Sequence, residues 1–201
     1  TAALTWSLST AIVVTILMTP DVVLKGIYGI DRNIALQANC AATLTLTLGC
    51  IFWGWLGDKT GTRTSMTLSW GGLAVTAIYF YSSLSSDISA NTLTFNYALM
   101  GFFVGAIATT PIISTRAFPP EIRFSGLSFA YNLAYAVFGG LTPILTGAWL
   151  QQSHMAPAYY VAGVSLLAVA VAFIPLSYKG WTRTATKERN PAAALKTSVT
   201  Q

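Results

Sequence analysis

Charged residues are scarce in this chain, and their scarcity excludes an ordinary soluble domain. Only 8% of the 201 residues are Asp, Glu, Lys or Arg, whereas 54% are apolar. A typical soluble domain has about 25% charged residues. A chain with so little charge has most of its surface in contact with something other than water. The composition therefore indicates a membrane protein.

Cysteine and histidine are also rare, which argues against a disulfide-stapled or metal-binding protein. Cys40 and Cys50 fall on one predicted helix about 15 Å apart, beyond the reach of a disulfide. Neither has His, Asp or Glu at metal-ligand spacing, and both are interpreted as small packing residues. His154 lies in a predicted connector and is interpreted as solvated rather than as a pH sensor. We expect no metal and no cofactor.

Catalytic constellations are missing as well. No Asp, Glu, Lys, Arg or His lies in the middle of any long apolar segment, so an intramembrane dyad or metal cluster for catalysis is not available. The phosphate-binding pattern G-x-x-x-x-G-K-S/T is also absent, which leaves ATP-driven transport by this chain unsupported. The sequence therefore argues against an enzyme.

Long apolar runs are what the chain has in abundance. A bilayer core about 30 Å thick needs roughly 20 residues of helix, and the runs show no alternation, which favours helices over barrel strands. Six segments qualify, at residues 2–19, 34–56, 65–82, 93–114, 124–150 and 158–177. The sequence therefore predicts an all-α polytopic membrane protein. Its six-helix transmembrane bundle occupies residues 1–178, and a basic cytoplasmic tail occupies residues 179–201.

The basic residues alternate between the two sides of this predicted bundle. Of the 11 Lys and Arg residues, only Lys25 and Arg32 lie in connectors on one side, and the others lie in the second and fourth connectors and the tail. Because Lys and Arg accumulate on the cytoplasmic side, both termini are predicted to be cytoplasmic. The net charge of +5 is then a topology signal and not a nucleic-acid patch. We expect the chain in the lipid bilayer of a bacterial inner membrane.

The connector after the second segment has the most specific pattern, Gly54-Trp55-Leu56-Gly57-Asp58-Lys59-Thr60-Gly61-Thr62-Arg63. Its glycines allow close helix approach and a tight turn. Its carboxylate can accept hydrogen bonds from the N-terminus of a neighbouring helix, and its cations can pair with cytoplasmic carboxylates. Such a connector can latch one conformation of a moving bundle. The candidate gate residues here are Gly54, Gly57, Asp58, Lys59, Gly61 and Arg63.

This connector resembles the cytoplasmic signature of the Major Facilitator Superfamily, G-x-L-a-D-r-x-G-r-r. Gly57 replaces the usual Ala, and Thr62 replaces the first basic residue of the closing pair. A second set of patterns is F-P-x-x-x-R-x-S/T-G at residues 118–126, Y-N at 131–132 and G-G-x-x-P at 139–143. This set resembles the eleventh helix, and the loop before it, in metabolite:proton symporters, the group that contains proline/betaine and dicarboxylate carriers.

The resemblance implies the C-terminal six-helix half of a major facilitator fold. An N-terminal six-helix half is the expected partner, and alternating access is the implied mechanism. The chain also begins at Thr1, already inside the first apolar run, and we expect it to be part of a longer protein.

The fourth connector adds further candidate gate residues. Arg116, Glu121 and Arg123 could join Asp58 and Arg63 in one cytoplasmic network, with Glu121 in the favourable first turn of the next helix.

The fifth segment contains a candidate hinge at Gly139, Gly140 and Pro143. Proline removes a backbone hydrogen bond inside a span. A static kink required for packing is the alternative.

Small and polar side chains recur at helical spacing on three segments. Such faces avoid lipid and pack against helices or line a cavity, and close packing is the commoner of the two. The fourth segment contains the contact motif Gly101-x-x-x-Gly105. The other two stripes are Asn39, Thr43, Thr47, Cys50 and Gly54 on the second segment, and Ser125, Ser128, Asn132, Tyr135, Gly139, Thr142 and Thr146 on the fifth. Tyr131, Asn132 and Tyr135 are the candidate substrate-binding residues.

These features predict secondary active transport of a small polar metabolite, an organic acid or a zwitterion, coupled to protons. The alternative is a non-transporting six-helix scaffold or half-transporter remnant that binds a partner. Since no ionisable group lies at mid-span, we expect the main proton site in the other half. Asp21, beside Pro20 at the outer end of the first segment, is the nearest candidate for a proton site in this chain, but it is interpreted as a loop carboxylate paired with Lys25.

Overall fold

Six helical segments make up the described part of the chain, which is residues 1–116, 118 and 122–173 of a computed structural model. The predicted all-α fold is confirmed for these residues. The last residues of the sixth predicted segment and the whole predicted tail lie outside them. The segments are α1 (Ala2–Ile12) continued by a π-helix (Val13–Lys25), α2 (Arg32–Thr60), α3 (Thr62–Ser82), α4 (Ala90–Val104) continued by a 3-10 helix (Gly105–Thr109) and α5 (Thr110–Arg116), α6 (Arg123–Leu150), and α7 (Ala156–Ala172).

Four of these segments are long and apolar enough to cross a membrane, namely Ala2–Lys25, Arg32–Thr60, Ala90–Thr115 and Arg123–Leu150. Helix α3 has 21 residues, about 31 Å at a rise of 1.5 Å per residue, but its Ser and Thr side chains make it less apolar. Helix α7 has 17 described residues. The predicted set of six spans is therefore confirmed as six helices, four of which meet the length and hydropathy expected of a span.

The first segment differs from the prediction, because its helix continues through Pro20 as a π-helix that ends at Lys25. In a π-helix each N–H bonds to the carbonyl five residues earlier. Pro20 has no N–H, so the carbonyl of Thr15 lacks this donor. The hydroxyl of Tyr97 on α4 donates to that carbonyl instead. A side chain from another helix thus replaces the bond that proline removes.

The ion pair of Asp21 also differs from the prediction. Its carboxylate lies 3.9 Å from the Arg32 guanidinium, and both side chains are largely exposed. The reason is the short connector after the π-helix, which folds back so that Ile30 N–H donates to the Leu24 carbonyl at 3.0 Å. The start of α2 is thereby brought beside Asp21, and the predicted pairing with Lys25 is wrong. An exposed pair of this kind contributes little stability.

Helices α2 and α4 pack more extensively than any other described pair, and glycine makes this possible. A methyl group added at Gly101 would collide with the backbone of Ala42, and one added at Gly105 would collide with the backbone of Gly49. The predicted Gly101-x-x-x-Gly105 contact motif is confirmed. Backbones that approach this closely gain extensive van der Waals contact, which drives helix association in lipid.

Two side-chain hydrogen bonds tie the same pair of helices. Thr45 on α2 donates to the Ala98 carbonyl at 2.7 Å, and the Trp53 indole N–H donates to the Phe102 carbonyl at 3.1 Å. Both acceptors are backbone groups of α4, so each bond resists sliding of one helix along the other. We refer to this contact as the α2–α4 seam.

A buried hydroxyl cluster joins four segments near the ends that lie opposite the connector between α2 and α3. Tyr97 lies 2.8 Å from the amide oxygen of Asn39 on α2 and stacks on Phe80 of α3. The hydroxyls of Thr19 on the π-helix and Tyr81 on α3 lie 2.7 Å apart. Asn39 of the predicted polar stripe therefore faces the bundle interior.

The interpretation of the cysteines as packing residues holds only in part. Both thiols are free, but Cys40 is exposed while Cys50 is partly buried. Cys40 lies on the side of α2 that is turned away from α4, where no described helix covers it.

We expect Gly105→Ala to destabilise the protein by about 1–3 kcal/mol, because the added methyl overpacks the seam against the backbone. Gly71→Ala is the matched control, since a methyl there meets no other atom within 4 Å. The control is expected to stabilise α3 slightly, because alanine is the better helix former. The measurement is the thermal unfolding midpoint in mild detergent, and equal midpoints for the two variants would contradict the close contact.

Tyr97→Phe tests the bond that replaces the one lost at Pro20. It removes the hydroxyl that satisfies the Thr15 carbonyl, so we expect a loss of about 1–3 kcal/mol for the unsatisfied buried group. Tyr159→Phe is the control, because Tyr159 is 55% exposed and should behave like the unmodified protein. Unfolding midpoints that do not distinguish the two variants would show that the carbonyl finds another donor.

Candidate functional site

The glycine-rich connector forms a helix–turn–helix with one residue between its helices. Helix α2 ends at Thr60, Gly61 follows with φ of 94°, and α3 begins at Thr62. This φ favours glycine because other residues have a Cβ that clashes there. Gly61 N–H donates to the Gly57 carbonyl at 3.0 Å. The predicted tight turn at Gly61 is therefore confirmed.

The other two glycines of the connector have different surroundings. A methyl group at Gly57 would lie 3.5 Å from the Cβ of Ser65 on α3, an ordinary contact distance. Ser65 is buried and donates to the Trp53 carbonyl at 2.6 Å, so Gly57 lies against a well-fixed part of α3. A methyl at Gly54 would meet no described atom within 4 Å, and the close approach predicted there is not made by the described residues.

The charged side chains of the connector are accessible. Asp58, Lys59 and Arg63 are all exposed, and the Lys59 ammonium lies 4.4 Å from the centre of the Trp55 ring, a cation–π contact. Lys59 thus lies over an aromatic ring on its own helix.

The predicted cytoplasmic network stays a prediction. Arg123 Nε donates to the Phe118 carbonyl at 3.4 Å, and its guanidinium forms no ion pair with a described carboxylate. Glu121 and the side chain of Arg116 lie outside the described part of the chain, as do Pro119 and Pro120.

Helix α6 has an apolar face and a polar face. The apolar face is exposed, with Phe129, Leu133, Val137 and Ile144 between 44% and 70% exposed. The polar face carries Ser125, Ser128, Asn132 and Gly139, all exposed or half-buried, and continues toward the end of the helix into the buried Thr142 and Thr146. Lipid tails suit the apolar face but not the polar one.

Helix α2 is divided in the same way. Thr43 and Thr47 are exposed, and each hydroxyl donates to a carbonyl one turn earlier on its own helix. Next to them lies an exposed apolar face formed by Leu44, Leu48, Ile51 and Trp55. In the most apolar 18-residue stretch of each helix, only 22% of the residues of α2 and of α6 are buried, against 67% in the first segment. These two helices therefore lie at the surface of the bundle, in contact with its surroundings.

The three candidate substrate-binding residues lie on or beside the polar face of α6. Asn132 is exposed, and one N–H of its amide donates to the Ser128 carbonyl at 2.8 Å, which leaves the second N–H available. The rings of Tyr131 and Tyr135 are half-buried and stacked, with centroids 5.9 Å apart and planes inclined by 18°.

An aromatic group beside these residues was not predicted. Trp6 on α1 stacks on Phe138 with centroids 4.7 Å apart, and its indole N–H donates to the Tyr160 hydroxyl of α7 at 2.9 Å. The Tyr160 hydroxyl lies 3.4 Å from that of Thr142. The i, i+4, i+7 spacing of Tyr131, Tyr135 and Phe138 indicates that these three rings lie on one side of a helix. Nothing in the sequence indicates that Trp6 joins them.

The candidate hinge lies inside a continuous helix, because α6 runs through Pro143 to Leu150. A methyl group at Gly140 would meet no described atom within 4 Å, and one at Gly139 would lie 3.4 Å from the Tyr135 ring. The backbone of Gly139 therefore lies beside the tyrosine ring, and its role as a hinge stays a prediction.

No group of three or more His, Cys, Asp or Glu side chains that could hold a metal ion occurs in the described ranges. Asp21, Asp31, Asp58 and Asp87 are all exposed, at or near helix ends.

Comparison with known proteins shows several related carriers. A candidate proline/betaine transporter of Staphylococcus haemolyticus is 30% identical over 75% of this chain and 32% of its own length. The citrate-proton symporter of Klebsiella pneumoniae is 31% identical over 60% of this chain and 29% of its own. An ectoine/proline transporter of Corynebacterium glutamicum is 28% identical over 69% of this chain and 30% of its own.

The chain thus spans about a third of the length of the curated relatives it matches. No solved structure matches it significantly. The family model of the Major Facilitator Superfamily matches residues 1–200. The chain belongs to the Major Facilitator Superfamily, a family of membrane transporters and not of enzymes.

Proposed function

We propose that the chain is the C-terminal half of a secondary active transporter. The complete carrier would move a small polar metabolite, an organic acid or a zwitterion, across a bacterial inner membrane by alternating access coupled to protons. The observation that carries the proposal is the division of α2 and α6 into an apolar and a polar exposed face. Each helix needs lipid on one side and a polar partner or aqueous path on the other.

The polar partner is an N-terminal six-helix half, which the proposal places against α2 and α6. Thr43, Thr47 and Asn132 would then line the contact between the halves or the path through it. A polar face exposed to hydrocarbon would be unfavourable, since lipid offers no hydrogen bonds. Both chain termini are cytoplasmic in this arrangement, which puts the connector between α2 and α3 on the cytoplasmic side.

The gate of the proposed carrier is built on this connector. Asp58 is exposed at the end of α2 and is free to accept hydrogen bonds from a helix N-terminus of the other half. Gly54 is half-buried, and because a methyl there would meet no described atom within 4 Å, it leaves space for that helix to approach. Arg63 and Arg123, together with Arg116 and Glu121, would complete the cytoplasmic network when this side closes.

Substrate binding is assigned to Tyr131, Asn132 and Tyr135. The free N–H of Asn132 suits a carboxylate oxygen. Proline, betaine, ectoine and citrate, the compounds for which the relatives are named, all have a carboxylate.

The described spans contain no ionisable side chain of Asp, Glu, Lys, Arg or His at mid-depth. Proton binding in the proposed mechanism therefore belongs to the other half. During transport, α6 would bend at the hinge formed by Gly139, Gly140 and Pro143.

Uptake by the complete carrier tests the function. Proteoliposomes with an imposed pH gradient would be offered labelled proline, betaine, ectoine and citrate in turn. We expect uptake of at least one compound, driven by the gradient and abolished by a protonophore. A carrier that is folded in the bilayer and takes up none of them would favour the scaffold alternative.

In the complete carrier, Asp58→Asn is expected to lower the maximal uptake rate about tenfold, because a charge-assisted hydrogen bond is worth about 1.5–3 kcal/mol. Asp87→Asn is the control, since Asp87 is also exposed but lies in the connector between α3 and α4. Both variants should reach the membrane in normal amounts. Equal rates for the two would contradict a gate at Asp58.

Asn132→Ala is expected to raise the KM for substrate about 3–10-fold, the loss of one neutral hydrogen bond. Asn91→Ala, at the exposed start of α4, should leave the KM unchanged. The measurement is initial uptake against substrate concentration. An unchanged KM and substrate range in Asn132→Ala would make Asn132 a surface residue without a role in binding.

A further inference from the structure

We propose that an aromatic strip on α1 and α6, formed by Trp6, Tyr131, Tyr135 and Phe138, receives the ammonium end of a zwitterionic substrate. The proposal rests on the proposed transport function and specifies its substrate class. Among the compounds considered above, it selects those with a secondary or quaternary ammonium group over the tricarboxylate.

The strip consists of two stacked pairs of rings and is partly open. Tyr131, Tyr135 and Phe138 follow at spacings of four and three residues, which places them on one side of α6. The two tyrosine rings stack on each other, and Phe138 stacks on Trp6 across the α1–α6 contact. All four side chains are half-buried, so part of each ring remains accessible. The strip also borders the polar face on which Asn132 lies.

The hydrogen bonds behind the strip hold its innermost ring in place. The Trp6 indole N–H is engaged by Tyr160 at 2.9 Å, and Tyr160 in turn lies 3.4 Å from the hydroxyl of Thr142. Thr142 is also 3.4 Å from the Thr10 hydroxyl on α1. Because the indole N–H of Trp6 is already hydrogen-bonded, only the face of its ring is available to contact a ligand.

No side chain at Gly139 covers the neighbouring edge of the Tyr135 ring. The residue one turn after Tyr135 has no side chain, and a methyl group there would already lie 3.4 Å from the ring. A larger side chain would cover the ring on that side. The ring of Tyr135 is thus bordered by Tyr131 on one side and by the bare backbone of Gly139 on the other.

Charge decides what this surface can bind. The acidic residues of the described chain are Asp21, Asp31, Asp58 and Asp87, all near helix ends, so no carboxylate in the described spans can neutralise a cation at mid-depth. Aromatic rings attract cations through their negative faces, within about 6 Å of the ring centre. A substituted ammonium with few or no N–H groups donates few or no hydrogen bonds, so the face of an aromatic ring is a suitable partner for it. The free N–H of Asn132, one turn from Tyr135, suits the carboxylate of the same molecule.

The test compares two ligands that differ only in charge. Trimethylglycine and tert-butylacetate have the same shape and the same carboxylate, but only the first has a positive head. Their dissociation constants are measured by calorimetry on the purified complete carrier. We expect the charged compound to bind about tenfold more tightly, within the range of cation–π attraction at a partly desolvated site.

Variants of the strip then assign this preference to the rings. In Tyr135→Leu the preference is expected to fall to about twofold or less, whereas Tyr135→Phe, which retains the ring, should keep it. Tyr159→Leu is the control, because Tyr159 is exposed on α7 outside the strip. The same pattern, somewhat weaker, is expected for the pair Tyr131→Leu and Tyr131→Phe.

Each outcome separates this proposal from the transport proposal. Equal affinities for the two compounds, or a preference that Tyr135→Leu leaves intact, would overturn the aromatic site even if the carrier takes up citrate. A preference that depends on the ring supports the site even if no uptake is measured, in which case only the transport function fails.

Discussion

The contact between the backbones of α2 and α4 is the constraint on which the rest of the bundle depends. Three glycines, Gly49, Gly101 and Gly105, allow the two helices to approach until even one methyl group would collide. Association inside a membrane has no hydrophobic driving force between helices, so close van der Waals contact must supply it. Because one side of α2 is fixed in this seam, its opposite side is turned outward. That outward side carries Thr43, Thr47 and the end of the glycine-rich connector.

Hydrogen bonds from side chains to backbone carbonyls stabilise the α2–α4 seam and also satisfy a carbonyl that lacks its partner in the irregular first helix. Thr45 and Trp53 bond to carbonyls of α4. Tyr97 bonds to the carbonyl of Thr15, whose π-helical donor is lost at Pro20. In a bilayer each such group would otherwise remain unsatisfied at a cost of several kcal/mol. A proline inside the first segment is thus compatible with a helix because a hydroxyl from another helix reaches it.

The placement of charge and polarity connects this architecture to transport. In the described residues, the Asp, Lys, Arg and His side chains lie near helix ends or in connectors, while hydroxyls, amides and aromatic rings occupy the depth of the bundle. In the proposed carrier, this chain would move against its partner half without breaking buried ion pairs, which are costly to leave unpaired. The exposed Asp58 and the polar faces of α2 and α6 are the parts that meet the proposed partner. The same scarcity of charge makes aromatic faces the available partner for a cationic group.

The sequence by itself determined the features that depend on neighbours along the chain. Apolar runs about 20 residues long predicted the six helices, spacing of three and four residues predicted the polar stripes and the Gly101–Gly105 contact, and Gly61 marked the turn between α2 and α3. Only the tertiary structure decided which long-range partners those residues meet. It paired Asp21 with Arg32, turned Asn39 toward Tyr97, carried the first helix through Pro20 and placed Trp6 on Phe138. Helical periodicity is a local property that the order of residues encodes, whereas a contact between distant segments depends on how whole helices pack, and no short pattern of residues specifies that.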